Sequence, residues 1–139
     1  MAAKIAVEGK RAAAASRRLW KGLMEHNRAK AGPTRYSRKV ITARDAKGRI
    51  LGGVITQSYW RETYVELLWL SESQRKRGTG ARLLRAAEEV AREHGSVVIH
   101  LNTFSFQAPG FYAKQGYKRF GSVSGSPEGE TRYYYVKRL

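Results

Sequence analysis

The sequence contains no cysteine, which excludes disulfide bonds, thiolate metal sites and a cysteine nucleophile. No apolar run approaches the roughly 18 residues of a membrane-spanning helix. Residues 1–15 also lack the continuous apolar segment of a secretory signal. We therefore expect no membrane partner and a cytoplasmic location. The 139 residues are 42% hydrophobic, which fits a single domain with a core of its own.

Acidic residues are scarce. The chain has 11 Asp and Glu against 27 Lys and Arg, a formal net charge of +16. The excess is concentrated in residues 1–48, where 13 basic residues face 3 acidic ones. Such a charge attracts anionic ligands, among them nucleotide cofactors and nucleic acids. A requirement for solubility would give the same excess, so charge alone does not separate these interpretations.

One stretch combines glycine with positive charge. The apolar run 65–70 leads into Arg75–Arg77, then Gly78 and Gly80, and a helical pattern follows over 80–94. Glycine allows close approach of the backbone to a ligand, and the first N–H groups of a helix lack intrahelical acceptors. A strand, a basic glycine loop and a helix in this order predict a phosphate site. The alternative is an ordinary cationic turn before a helix.

Hydrophobic periodicity predicts an α/β protein with a mixed sheet. The polar segment 124–130, between the last two predicted strands, is predicted to be a flexible connection. We expect Gly22 to weaken or divide the first helix, and Glu88 to lie on the polar side of the second, four residues from Arg92. The predicted strands are 4–7, 36–44, 49–59, 64–70, 96–102, 117–123 and 131–137, and the predicted helices are 10–30, 80–94 and 108–115.

Two short motifs occur in a fixed order. The first is Arg-x-x-Gly-x-Gly and the second is Ala-x-x-x-Tyr-x-x-x-Gly-Tyr. With these motifs the chain resembles the GNAT superfamily of N-acetyltransferases over its whole length, as a single domain of residues 1–139. The run 101–112 is similar to one bacterial subgroup. The matching residues are Arg75, Gly78 and Gly80 in the first motif, and Ala108, Tyr112, Gly116 and Tyr117 in the second.

The resemblance implies the GNAT fold, a mostly antiparallel sheet with a parallel strand–helix–strand unit at an acetyl-CoA site. It implies acetyl-CoA as cosubstrate and no metal. The pantetheine arm is expected along the end of the strand before the loop, with the pyrophosphate on the loop itself. The expected acetyl-CoA residues are Leu68, Trp69, Leu70, Arg75, Lys76, Arg77, Gly78, Thr79, Gly80 and Ala81.

The resemblance also implies that Tyr112 donates a proton to the departing thiolate. The alternative is that Tyr112 is an aromatic residue of the core or its rim. Glu66 is the candidate base, because a carboxylate within an apolar run is costly without a purpose. Burial would raise its pKa toward a useful range. Alternatively, Glu66 faces solvent or pairs with Arg61 or a cation of another strand, and an ordered water acts as the base.

The acceptor is expected to be a primary amine of a small molecule or a protein, and its identity is left open. A homodimer is also left open. The competing hypothesis is a basic module that binds nucleic acid or the ribosome, with Tyr36, Trp60 and the tyrosines at 133–135 as stacking residues. The expected acceptor-site residues are His26, Asn27, Trp60, Tyr64 and Phe104.

Overall fold

The structure is a computed structural model that describes residues 2–139. Contacts within the chain divide it into two units, the residues up to Thr34 and Arg35–Leu139. No helix in the described chain is long and apolar enough to cross a bilayer. The helices are α1 (Ala12–Ala31), α2 (Thr79–His94) and α3 (Pro109–Lys114), and the strands are β1 (Ser37–Arg44), β2 (Ile50–Tyr59), β3 (Glu62–Leu70), β4 (Val98–Phe104), β5 (Lys118–Ser124) and β6 (Thr131–Arg138).

The first unit consists of α1 and the segment before it. Gly22 does not divide this helix, which runs unbroken for 20 residues. A single glycine costs only about 1 kcal/mol relative to alanine, and the surrounding residues are good helix formers. The predicted strand over 4–7 is wrong, since Ile5 and Val7 are 93% and 100% exposed and no strand forms among residues 2–11. A strand needs a partner for its backbone groups, and none pairs with these residues.

The second unit is a six-stranded sheet in the order β1-β2-β3-β4-β6-β5. Every neighbouring pair is antiparallel except β3 and β4, which are parallel and are joined through α2. The predicted mixed sheet with one parallel strand–helix–strand unit is therefore confirmed. The parallel pair lies at the centre of the sheet, and the C-terminal end of β3 leads directly toward the start of α2.

The core lies between α2 and one face of the sheet. The apolar stripe of α2, including Leu84 and Ala87, packs with Val54, Ile99 and Leu101. These strand residues alternate with side chains on the opposite face, because successive residues of a strand point to opposite sides. We call that opposite side the outer face. It carries Arg38, Val40, Gln57, Tyr64 and Leu67.

Glu88 does not lie on the polar side of α2. Its side chain is 5% exposed and accepts hydrogen bonds from the Tyr117 hydroxyl at 2.9 Å and Lys137 Nζ at 3.1 Å. Arg92 pairs with Glu89 instead, at 2.6 Å. The predicted Glu88–Arg92 pair is therefore wrong. One partner of Glu88 lies on β6 and the other immediately before β5, and they supply the charge and the donor that a buried carboxylate requires.

Candidate functional site

The central feature of the site is an opening between β3 and β4. The two strands pair only through Glu62–Val98, Thr63–Ile99 and Tyr64–His100. Beyond these rungs β3 continues to Leu70 and β4 to Phe104, with no pairing between them in the described sheet. The β3 edge that faces β4 therefore presents unpaired backbone groups. Such an edge can form main-chain hydrogen bonds with an extended ligand.

A β-bulge lies at the start of this opening. Ile55 pairs with Leu67 and Thr56 pairs with Val65, so that Glu66 is the additional residue on β3. A bulge leaves its extra residue unpaired and bends the strand. Beyond it, Leu67 and Trp69 turn to the outer face, where they are 45% and 51% exposed. The apolar run over 65–70 is therefore buried only in part.

The glycine loop, residues 75–81, follows the end of β3. Gly78 is the N-cap of α2 in the left-handed conformation, with φ of 79°, and no side chain caps the helix. Lys76 is also left-handed, with φ of 60°. The first N–H groups of α2 are therefore without a side-chain cap at the positive end of the helix dipole. Arg75, Lys76 and Arg77 are exposed in the same loop, an arrangement that can bind an anion.

Gly80 brings three elements together. A Cβ atom at this position would lie 3.2 Å from Leu70 Cδ1 and 3.4 Å from Phe111 Cζ. The end of β3, the first turn of α2 and α3 therefore meet at one point. Ala81 is half-buried. Thr79 is buried, and the Thr79 hydroxyl donates a hydrogen bond to Gln74 Oε1 at 3.2 Å. Among the residues predicted to bind the cofactor, Leu70 and Gly80 therefore lie close together.

Tyr112 lies on α3 within the core and is 8% exposed. Its ring centroid lies 5.1 Å from that of Phe111, 5.9 Å from that of Tyr135 and 6.1 Å from that of Tyr117. Within residues 2–139 its hydroxyl makes no hydrogen bond. Burial raises the pKa of Tyr112 to about 12. Tyr112 is therefore a core aromatic, as one interpretation held, and its phenol also remains a protonated donor without a partner.

Glu66 has a different environment from the one expected. Arg38 Nε at 3.2 Å and Gln57 Nε2 at 3.0 Å both donate to its Oε2 atom. These hydrogen bonds, that of Gln57 first, lower the pKa of Glu66. The expectation that burial raises its pKa is wrong, because Glu66 lies two residues after Tyr64 and shares its outer face, where both donors reach the carboxylate. The predicted pairing with another strand's cation is confirmed, and that cation is Arg38 rather than Arg61.

Arg38 and Gln57 were not anticipated from the sequence. They are register partners on β1 and β2, and they lie on the outer face next to the bulge. The alternation of β1 and β2 places them on one face, but their contact with Glu66 depends on the pairing of β2 with β3, where Gln57 lies opposite Tyr64. The available signal is the alternation along the hairpin, which predicts that Arg38 and Gln57 each lie on one face of a strand.

The residues predicted for the acceptor site are not all brought together. Tyr64 lies on the outer face, where its hydroxyl accepts a hydrogen bond from Asn102 Nδ2 at 3.1 Å and its ring lies 5.4 Å from His100. Phe104 ends β4, at the open side, and stacks on Phe106 with centroids 5.2 Å apart. Trp60 lies in the turn before β3, roughly 30 Å along the strand from Leu70. It is therefore not part of the opening.

His26 and Asn27 lie on α1, in the other unit, where His26 is exposed and Asn27 is half-buried. Their assignment to the acceptor site stays a prediction.

The arrangement described above can be compared with known proteins. The sequence profile of the acetyltransferase (GNAT) family matches residues 11–117. The chain belongs to the GNAT acetyltransferase family. It is therefore an acetyl-CoA-dependent acyltransferase, and the expectation from the two motifs is confirmed at this level.

Named relatives agree with this assignment. The chain is 38% identical to the blasticidin-S acetyltransferase of Streptomyces morookaense over 94 residues, which are 67% of this chain and 69% of the relative. A crystal structure of an acetyltransferase from Bacillus cereus superposes with a TM-score of 0.88 at 31% identity and covers 98% of both chains.

A proposed streptothricin acetyltransferase from Bacillus anthracis, solved with acetyl coenzyme A, shares the fold. Its TM-score is 0.65 at 24% identity, over 73% of this chain and 62% of that one.

Proposed function

We propose that this GNAT protein transfers the acetyl group of acetyl-CoA directly to a primary amine of a small molecule or a protein, within a ternary complex. The observation that carries the proposal is the opening between β3 and β4, which ends at the glycine loop and has Tyr112 in the adjoining core. A relative named for an antibiotic makes small-molecule amines the first acceptors to test.

The cosubstrate has an evident position in this geometry. The pyrophosphate would accept hydrogen bonds from the N–H groups at the start of α2 and would lie beside Arg75–Arg77. The pantetheine arm would extend along the unpaired β3 edge at Leu68–Leu70. A backbone N–H of that edge can polarise the thioester carbonyl, as an oxyanion donor does.

The chemistry needs a neutral amine and a protonated leaving group. The ammonium first loses a proton, to Glu66 or to an ordered water, and the amine nitrogen then attacks the thioester carbon. A C–N bond forms, the carbonyl oxygen becomes an oxyanion, and the nitrogen releases its second proton to solvent. The C–S bond then breaks, and the thiolate takes a proton from the Tyr112 hydroxyl, which is later reprotonated from solvent.

The structure favours this proposal over nucleic-acid binding as the main role. Tyr135 is 2% exposed, and the Arg119 guanidinium lies 3.6 Å above the ring of Tyr133. A base could not stack on either ring without displacing these contacts. The cations of the glycine loop are explained by a pyrophosphate and do not require nucleic acid.

A thiol-release assay tests the proposed function. The purified protein is incubated with acetyl-CoA and a panel that contains blasticidin S, a streptothricin, an aminoglycoside, spermidine and a lysine peptide. We expect amine-dependent release of CoA and a product heavier by one acetyl group in mass spectrometry. If no amine of either class is acetylated while acetyl-CoA binds at a single site, the proposed transfer to amines is wrong.

A further inference from the structure

The Glu66 carboxylate uses only one of its two oxygen atoms within the protein. Arg38 and Gln57 both donate to Oε2, and no described residue donates to Oε1. We propose that the free Oε1 of Glu66 binds the acceptor as an ammonium ion, and that Arg38 and Gln57 are positioning residues that hold the carboxylate in place. The inference rests on the proposed function, since it specifies the amine that the site accepts.

The position of Glu66 supports this role. The last parallel rung joins Tyr64 to His100, and Glu66 is the extra residue of the bulge immediately after it. The carboxylate therefore lies where the two strands part, on the outer face, and its side chain is 33% exposed. An acceptor that approaches the opening from this face would meet Oε1 before it reached the β3 edge.

The contacts also favour a binding role over a strongly basic one. Two donors on one oxygen stabilise the ionised carboxylate, as the lowered pKa of Glu66 indicates. The group then remains an anion throughout the neutral range. On a chain with a net charge of +16, a cationic acceptor requires a local anion of this kind, because the overall field repels it. Arg38 lies on Oε2, so the unpaired oxygen keeps its lone pairs available to an N–H donor.

The surface next to Glu66 indicates the chemistry of the rest of the acceptor, beyond its ammonium group. Val40, Ile55 and Leu67 form one rung across β1, β2 and β3, and Trp69 follows on the same face. Together they line a largely apolar groove next to Glu66 and its two donors. The combination fits a primary ammonium attached to an apolar or planar skeleton. A highly charged polyamine would leave this rung uncovered and would meet Arg38 as a like charge.

The test uses two probes that share a benzyl ring and a positive charge. Benzylammonium has three N–H donors and benzyltrimethylammonium has none. The ¹³Cδ resonance of Glu66 is observed by NMR in the full chain and assigned with Glu66→Gln. We expect a saturable change with benzylammonium that is at least several-fold larger than the change with benzyltrimethylammonium. Equal responses would show that no directed hydrogen bond forms, and a missing response to benzylammonium would equally overturn the binding role.

The positioning role is tested on the same resonance. We expect Arg38→Gln and Gln57→Leu each to raise the pH at which Glu66 titrates, because each removes a donor from Oε2. Arg49→Gln is the matched control, since Arg49 pairs with Asp45 at 2.7 Å in the β1–β2 turn. An unchanged Glu66 titration in both variants would contradict the positioning role. These readouts do not require turnover, so they fail independently of the acetyl-transfer assay.

Discussion

Tyr112→Phe separates catalysis from folding more cleanly than any other substitution in this site. The Tyr112 hydroxyl makes no hydrogen bond within residues 2–139, so its removal breaks no native contact and the ring stays packed. We expect the free energy of unfolding to change by less than about 0.5 kcal/mol. A proton donor to the leaving group contributes typically 10²–10⁴ in rate, so kcat should fall by roughly that factor, or about 3–5 kcal/mol of barrier.

The matched control is Tyr117→Phe in the same aromatic cluster. The Tyr117 hydroxyl donates to the buried Glu88 at 2.9 Å, so its loss should cost about 2 kcal/mol of stability and roughly 6–10 °C in Tm. Its kcat should stay near the wild-type value. Thermal unfolding and single-turnover acetyl transfer at saturating acetyl-CoA measure the two quantities. An unchanged single-turnover rate in Tyr112→Phe would refute its role as the acid.

Burial also raises the pKa of Tyr112 to about 12, so kcat should show no alkaline loss from this group up to about pH 10, as a pH–rate profile will test. Lys137→Met should lower stability by about 3–5 kcal/mol in denaturant unfolding, because it leaves the carboxylate of Glu88 buried without its cation. Gly78→Ala should cost only about 1 kcal/mol, since the added Cβ meets no atom but φ is 79°. The Asp45 pKa is lowered chiefly by hydrogen bonds from Arg49, so its contribution is present at neutral pH and lost as pH falls through its folded pKa. Asp45→Asn should therefore lower Tm at neutral pH and have little effect at about pH 2.

The order of elements from β1 onward and the position of the glycine loop could be predicted from the sequence because both depend on local patterns. Glycine and basic residues between an apolar run and a helical pattern define the loop at 75–81, and the structure places it at the uncapped start of α2. The spacing from this loop to Tyr112 carried the family resemblance. Neither feature required knowledge of which strands pair.

The surroundings of the two glutamates could not be predicted, because they depend on residues distant in the chain. The helical spacing indicated a surface ion pair between Glu88 and Arg92. In the structure, Lys137 on β6 forms the ion pair with Glu88 instead. Glu66 looked buried because its neighbours in sequence are apolar. Its outer position and its two donors, Arg38 on β1 and Gln57 on β2, depend on how three strands pair, which local sequence does not define.

Calorimetric titration with acetyl-CoA tests the central claim most directly. We predict one binding site per chain for the wild type, and an affinity at least about tenfold weaker when the cations at 75–77 are replaced by alanine. A control with alanine at Lys39, Lys47 and Lys118 removes the same charge from exposed positions and should bind nearly as well as the wild type. No binding by the wild type, or equal weakening in both variants, would contradict the assignment of the glycine loop as the acetyl-CoA site.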